Sequence, residues 1–279
     1  MLRLSSYRLD CKGRGAALRL TMLFTPGRTY DWSALEVKTA LELIEIAKKQ
    51  GWIDKLWTVF SKKYTVLVFG TSGVGKTNFI TSLTELVPNA IDALNRTKIA
   101  EKHRVKILDH PFTFIDTPGE ELQAPQRIRV IQEALRKGVS GIINAAAYGY
   151  HEGPASKADV LDGGAVRDSY LAQRREIEIS AIREWAAVLG AREVSNWLIT
   201  VVTKADLWWD SKETILKYYE TGPYYDALGS AKTLNPVVLG YCSVVHKFYG
   251  ECPVSGAFDD SDRVKIRAHF LCQLVAAIK

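Results

Sequence analysis

The chain has 279 residues, of which 47% are hydrophobic and 24% charged, and this composition suits one large globular α/β domain. Its 37 basic and 31 acidic residues leave a net charge of +6, an excess that a solvated surface explains without a nucleic-acid partner. No apolar run approaches the roughly 18 residues that a membrane-spanning helix needs. The four cysteines form no C-x-x-C pair, so we expect neither a disulfide framework nor a zinc site, and a cytoplasmic location fits best.

The first 60 residues differ in character from the rest. Residues 1–30 contain six basic residues and one acid, a bias that fits either an organelle transit peptide or a plain basic arm. Ser33-Ala34-Leu35-Glu36 is a capping box, and it opens a helical pattern that Gly51 ends. Residues 52–63 combine tryptophans with lysines, which favours packing on the following domain and leaves peripheral membrane contact open. We predict a basic arm and helical N-terminal extension over residues 1–60.

From Tyr64 onward, strand-like and helix-like segments alternate. Strands are predicted at 64–69, 104–108, 111–115, 140–146, 196–202 and 236–242, and helices at 78–83, 127–137, 165–189, 212–219 and from about 260 to 278. The long loop Tyr148–Gly164 is expected to be mobile. This alternation predicts a three-layer α/β sandwich over residues 61–279, with a mostly parallel sheet and helices on both faces.

The most specific motif is Gly70–Thr77, a complete G-x-x-x-x-G-K-[ST] phosphate-binding loop between a predicted strand and a predicted helix. Its glycines let backbone N–H groups turn toward a polyphosphate, and the helix N-terminus faces the same anion. Lys76 reaches the β- and γ-phosphates, and the Thr77 hydroxyl suits Mg²⁺. The fold class is therefore predicted as a P-loop NTPase. The residues expected to bind nucleotide here are Thr71, Ser72, Gly73, Val74, Gly75, Lys76 and Thr77.

Two further motifs follow predicted strands. Asp116-Thr117-Pro118-Gly119 places an acid where it suits Mg²⁺ and a glycine where an N–H can approach the γ-phosphate. Thr203-Lys204-Ala205-Asp206 places a carboxylate that can accept hydrogen bonds from N1–H and N2–H₂ of guanine. Adenine lacks this pair of donors and would leave the carboxylate desolvated and unpaired. The sequence therefore predicts a site for GTP or GDP with Mg²⁺.

In their order and spacing, the three motifs resemble those of the translation-factor-related (TRAFAC) class of GTPases, over residues 64–279. The resemblance implies that Lys76 and Thr77 serve the phosphates and Mg²⁺, that Asp116 and Gly119 form the second switch, and that Asp206 selects guanine. Thr203 and Lys204 would complete the base motif, with Thr203 in a position that is often Asn in the class.

Other parts of the class pattern are less distinct. Thr97 is the candidate first-switch ligand of Mg²⁺, and Ser243 and Val244 are candidates for the third base-binding segment. Glu120 follows Gly119 at the position that often orients the attacking water. A carboxylate there is repelled by the γ-phosphate, and Ser72 crowds the same region, so we expect slow intrinsic hydrolysis.

Several residues outside the motifs have simpler interpretations. Glu178 is predicted to lie on the solvated face of a long helix, and His151 has no partner apparent in the sequence. Trp208 either closes over the base-binding loop or packs in the core.

The expected function is a regulatory GTPase that hydrolyses GTP to GDP and phosphate, with Lys76, Gly119 and Glu120 as the candidate catalytic residues. The alternative is an interaction module that binds GTP with negligible hydrolysis, and an ATPase or kinase is the third option. A protein effector or activating partner and a homodimer are the expected partners.

Overall fold

The structure is a computed structural model that describes residues 63–84, 100–107, 110–119, 124–190, 197–234 and 236–278. The predicted N-terminal helices, Thr97 and Glu120 lie outside these residues. The strands are β1 (Tyr64–Gly70), β2 (Glu101–Ile107), β3 (His110–Asp116), β4 (Gly141–Ala146), β5 (Leu161–Asp162), β6 (Ala165–Val166), β7 (Leu198–Val202) and β8 (Val237–Gly240). The α-helices are α1 (Lys76–Thr84), α2 (Ala124–Lys137), α3 (Lys157–Val160), α4 (Asp168–Gly190), α5 (Ala205–Trp208), α6 (Lys212–Thr221), α7 (Pro223–Ala227) and α8 (Asp260–Ala277).

Six strands form one sheet in the order β2-β3-β1-β4-β7-β8. The edge strand β2 pairs antiparallel with β3, and every other pair in this sheet is parallel. Strand β1 occupies a central position, so the loop that follows it emerges between β3 and β4. Because parallel strands end at the same edge, the loops after β1, β3, β4, β7 and β8 all lie at one edge of the sheet.

Alternate residues of β1 face opposite layers. Leu67 and Phe69 pack in one hydrophobic cluster with residues of α2, α4 and α6, whereas Val66 and Val68 pack in a second cluster with α1 and α8. Helices therefore cover both faces of the sheet, and the predicted three-layer α/β sandwich with a mostly parallel sheet is confirmed.

The segment between β4 and α4 differs from its prediction. The long loop expected at Tyr148–Gly164 contains the short helix α3, which Ser156 caps through a hydrogen bond to the backbone of Asp159, and the hairpin β5–β6. The predicted start of α4 at about Ala165 is wrong, because Ala165 pairs with Asp162 in that hairpin and the helix begins at Asp168.

The last helix begins with a reciprocal capping box between Asp259 and Asp262, whose side chains each accept a hydrogen bond from the other's backbone N–H. Among the described residues, no helix combines the length and the apolar character that crossing a bilayer requires.

Candidate functional site

The phosphate-binding loop connects β1 to α1 at the carboxyl edge of the sheet. Gly73 and Gly75 have φ angles of +80° and +88°, a region that residues with a Cβ rarely adopt. A side chain at Gly73 would also collide with the carbonyl oxygen of Glu152, which lies directly against the loop. The loop therefore has the glycine-dependent backbone that turns N–H groups toward an anion.

Lys76 lies at the centre of this loop. Its Nζ donates hydrogen bonds to Gly70 O at 3.0 Å and Thr71 O at 3.1 Å, and the side chain is buried. Burial lowers the pKa of Lys76 to about 8, Asp116 opposes this shift, and the charge of Arg127 adds to it. A bound polyphosphate would supply the negative charge that favours the protonated amine.

Two predicted Mg²⁺ ligands meet although they are 39 residues apart. The Thr77 hydroxyl donates to Asp116 Oδ2 at 2.9 Å, and Asp116 is fully buried at the end of β3. A hydroxyl and a carboxylate are hard oxygen donors of the kind that Mg²⁺ prefers, so the donor set fits this ion.

Gly119 brings the second motif against the phosphate loop. A Cβ at this position would collide with Lys76 Nζ and would lie 2.8 Å from the backbone nitrogen of Ser72. Only glycine permits the backbone to come this close, which is the arrangement an amide needs to reach a phosphate on Lys76.

Thr203 connects the base motif to the phosphate loop. Its hydroxyl shares its proton between Val74 O at 2.6 Å and Ala146 O at 3.0 Å, and its backbone N–H also donates to Ala146 O. One buried side chain therefore holds together the ends of β4 and β7 and the phosphate loop. A short hydroxyl side chain is sufficient to make these connecting hydrogen bonds.

Asp206 is buried and interacts with the loop after β8. Its Oδ1 accepts from Cys242 Sγ at 3.3 Å and its Oδ2 from the backbone N–H of His246 at 3.2 Å. Burial raises the pKa of Asp206, whereas these two donors oppose the shift. Ser243 and Val244 belong to the same loop, and Val244 O lies 3.3 Å from Cys242 Sγ, so the single thiol proton is shared between Val244 O and Asp206 Oδ1.

Lys204 adopts the left-handed region at φ +57°. Its Nζ donates to Glu152 Oε2 at 3.2 Å and lies 5.1 Å from the centre of the Phe248 ring. Burial lowers the pKa of Lys204, and the negative charge of Glu152 opposes this shift.

Trp208 packs in the core and donates its indole N–H to Thr203 O. Of the two interpretations of Trp208, core packing is therefore the one that the structure shows.

A buried polar network behind the site was not predicted. The prediction that Glu178 lies on a solvated face is wrong, because its side chain is 3% exposed. Glu178 accepts hydrogen bonds from the backbone N–H of Ala147 at 2.8 Å, from His151 Nε2 at 2.6 Å and from the Tyr219 hydroxyl at 2.6 Å. Burial opposes its charge, but these donors outweigh burial and lower the pKa of Glu178.

The structure thus brings together the phosphate loop, Asp116, Gly119 and the base motif at one edge of the sheet. Sequence reasoning missed Glu152 and His246, since neither belongs to a recognisable spacing pattern. Their role depends on contacts with residues far away in the chain, such as the 94 residues that separate Glu152 from His246.

Comparison with known proteins agrees with this geometry. Residues 65–161 match the family model described as 50S ribosome-binding GTPase, a stretch that includes the phosphate loop and Asp116–Gly119 and ends before Thr203. No curated protein matches the chain by sequence.

Solved structures that resemble the chain include two of low sequence identity. One is a dimerization-deficient mutant of Toc33 from Arabidopsis thaliana, with 16% identity over 85% of this chain and 89% of that chain and a TM-score of 0.45. Another is the mammalian SRP receptor, with 14% identity over 64% of this chain and 91% of that chain and a TM-score of 0.45.

Proposed function

We propose that the chain is a regulatory GTPase of the TRAFAC class that binds GTP with Mg²⁺ and hydrolyses it slowly to GDP and phosphate, and the match of residues 65–161 to a GTPase family model supports this proposal. The observation that carries this proposal is the meeting of three motifs at one sheet edge. The phosphate loop with Lys76 follows β1. Asp116, which pairs with Thr77, is the last residue of β3, and the Thr203–Asp206 segment follows β7 of the same sheet.

Each group has a defined task in the proposed reaction. The loop amides and Lys76 hold the phosphates and stabilise negative charge as water attacks the γ-phosphorus. Thr77 and Asp116 would hold Mg²⁺, which when bound neutralises charge on the phosphate oxygens. Asp206 would accept hydrogen bonds from the guanine N1–H and N2–H₂ groups, and the stem of Lys204 would cover the base.

The switch is proposed to be the segment that contains Gly119. This glycine lies against Lys76 and Ser72, so a γ-phosphate bound to Lys76 would meet its backbone directly. Contact with the γ-phosphate would hold the segment in one conformation, and hydrolysis would release it.

Slow turnover is supported by two residues near that segment. Glu120 follows Gly119, and a carboxylate there is repelled by the γ-phosphate. The backbone of Ser72 lies beside Gly119, and we propose that the Ser72 side chain crowds the approach of a catalytic side chain. We therefore propose that an activating partner, either another protein or a second copy of the chain, accelerates hydrolysis.

A cytoplasmic location and peripheral membrane contact through residues 52–63 remain proposals drawn from the sequence.

Titration and single-turnover kinetics test the proposal. We expect GTP and GDP, each with Mg²⁺, to bind at least roughly 100-fold more tightly than ATP, because adenine offers Asp206 no pair of N–H donors like that of guanine. We also expect slow release of phosphate from bound GTP, which Lys76→Met abolishes. Equal affinity for ATP and GTP would contradict the guanine assignment. Tight GTP binding without phosphate release would favour the interaction module instead.

A further inference from the structure

Glu152 contacts three of the segments that surround the proposed nucleotide site, namely the phosphate loop, the base motif and the loop after β8, although no motif contains it. Its backbone N–H donates to Gly73 O of the phosphate loop at 3.2 Å. Its carboxylate accepts a hydrogen bond from Lys204 Nζ at 3.2 Å through one oxygen and from His246 Nε2 at 3.0 Å through the other. The residue comes from the loop between β4 and α3, so this loop forms an additional wall of the site.

We infer that Glu152 is a positioning residue for nucleotide binding and that it acts through Lys204. This inference rests on the proposed function. The Lys204 ammonium is held by Glu152 at one end and its backbone by the base motif at the other, so the course of the four-carbon stem is defined. That stem is the part of Lys204 that would lie over the base. Without the carboxylate, the side chain gains alternative rotamers that binding must then restrict.

The carboxylate stays charged in this setting. Burial opposes ionisation of Glu152, but the hydrogen bond from His246 and the charge of Lys204 outweigh it and lower the pKa of Glu152 to about 2. The side chains of Lys204 and Glu152 are 10% and 20% exposed, so solvent screens their attraction less than that of a surface pair.

Neighbouring residues hold Glu152 in place. His151 donates its ring N–H to the buried Glu178, and the Tyr170 hydroxyl donates to His151 O. On the other side, Gly153 N–H donates to the Tyr249 hydroxyl at 3.0 Å, and that hydroxyl donates to Gly153 O. Because both neighbours are fixed, the backbone of Glu152 presents its side chain to Lys204 in one orientation.

His246 connects Glu152 to Asp206, the residue proposed to recognise guanine. Its ring contacts Glu152, while its backbone N–H donates to Asp206 Oδ2. The contacts therefore run from Lys204 through Glu152 and His246 to Asp206, two residues beyond Lys204. An enlarged β4–α4 connection thus stabilises both ends of the base motif.

A double-mutant cycle on nucleotide affinity tests this inference. The dissociation constant for GDP with Mg²⁺ is measured for wild type, Glu152→Gln, Lys204→Met and the double variant. We expect each single variant to bind GDP about tenfold more weakly. We expect the double variant to differ from Lys204→Met by at most about twofold, because the carboxylate acts through the lysine. Thermal melting of the nucleotide-free proteins identifies any variant that has lost its fold.

The chain offers a matched control. Glu251 pairs with Lys157 at 2.8 Å near the same loop, but both side chains are more than half exposed, so Glu251→Gln should bind GDP like wild type. Wild-type affinity in Glu152→Gln, or effects that multiply in the double variant, would overturn the inference and leave the proposed function standing. Failure of the wild-type protein to bind GDP would overturn both.

Discussion

Thr203 joins three parts of the nucleotide site through one hydroxyl group. An asparagine at this position would offer two N–H donors, whereas threonine offers a single proton that lies within reach of both Val74 O and Ala146 O. Threonine therefore connects the phosphate loop to the base motif with one donor, where asparagine would have two. Its loss should affect both the fold and nucleotide binding.

Replacing Thr203 with valine tests this connection. The change keeps the shape of the side chain but leaves the buried Val74 O without this donor, so we expect the free energy of unfolding to fall by about 1–3 kcal/mol. We also expect weaker GDP binding, because the phosphate loop loses its tie to the base motif. Urea unfolding of the nucleotide-free protein and GDP titration measure the two effects.

Thr200→Val is the control for that substitution. Thr200 is equally buried on β7, but its hydroxyl has no hydrogen-bond partner among the residues that the structure describes. The same chemical change should therefore not destabilise the protein, and it should leave GDP binding nearly unchanged. Equal effects of the two valine variants would show that the Thr203 hydroxyl has no special role.

At the scale of elements, the connection between β4 and α4 depends on a buried pair. Glu178 of α4 accepts a hydrogen bond from His151 in this connection, and both side chains are nearly inaccessible to solvent. Burial lowers the pKa of His151, and Glu178 opposes this shift. The imidazole is therefore neutral at pH 7 and donates its Nε2–H to an ionised carboxylate.

This pair predicts how stability changes with pH. The pKa of His151 is lower in the folded protein than its unfolded value of about 6.5, so the unfolded chain takes up the proton first as pH falls. His151 therefore makes stability decrease below about pH 6.5, with a slope of at most about 1.4 kcal/mol per pH unit. Urea unfolding between pH 7.5 and 5.5 should show a shallower slope in His151→Gln than in wild type. Thr200→Val should keep the wild-type slope, and equal slopes in wild type and His151→Gln would refute the assignment.

At the scale of the molecule, local patterns were enough to predict the sheet and its main helices. The β-branched run at Tyr64–Phe69 and the phosphate loop that follows it specify a buried central strand and a helix N-terminus without reference to the rest of the chain. The predicted strands before Asp116 and Thr203 are present as β3 and β7, which places both motifs at one edge of the sheet.

The connection after β4 could not be predicted in the same way. A glutamate such as Glu178 between arginines and other acids on a helix is usually solvated, and only the three-dimensional fold shows that backbone N–H groups and a histidine surround it. Glu152 is likewise defined by Lys204 and His246, which lie 52 and 94 residues away in the chain. Contacts of this range leave no periodicity in the sequence.

The central claim is that this edge of the sheet binds a guanine nucleotide through Asp206. The most direct test is to measure the affinities of wild type and Asp206→Asn for GDP and xanthosine diphosphate. Xanthine carries a carbonyl where guanine carries its 2-amino group, so an asparagine amide can donate to xanthine but faces another donor in guanine. We predict that the variant loses GDP affinity by roughly 100-fold or more and binds xanthosine diphosphate more tightly than GDP. Unchanged affinity for GDP in the variant would contradict the account.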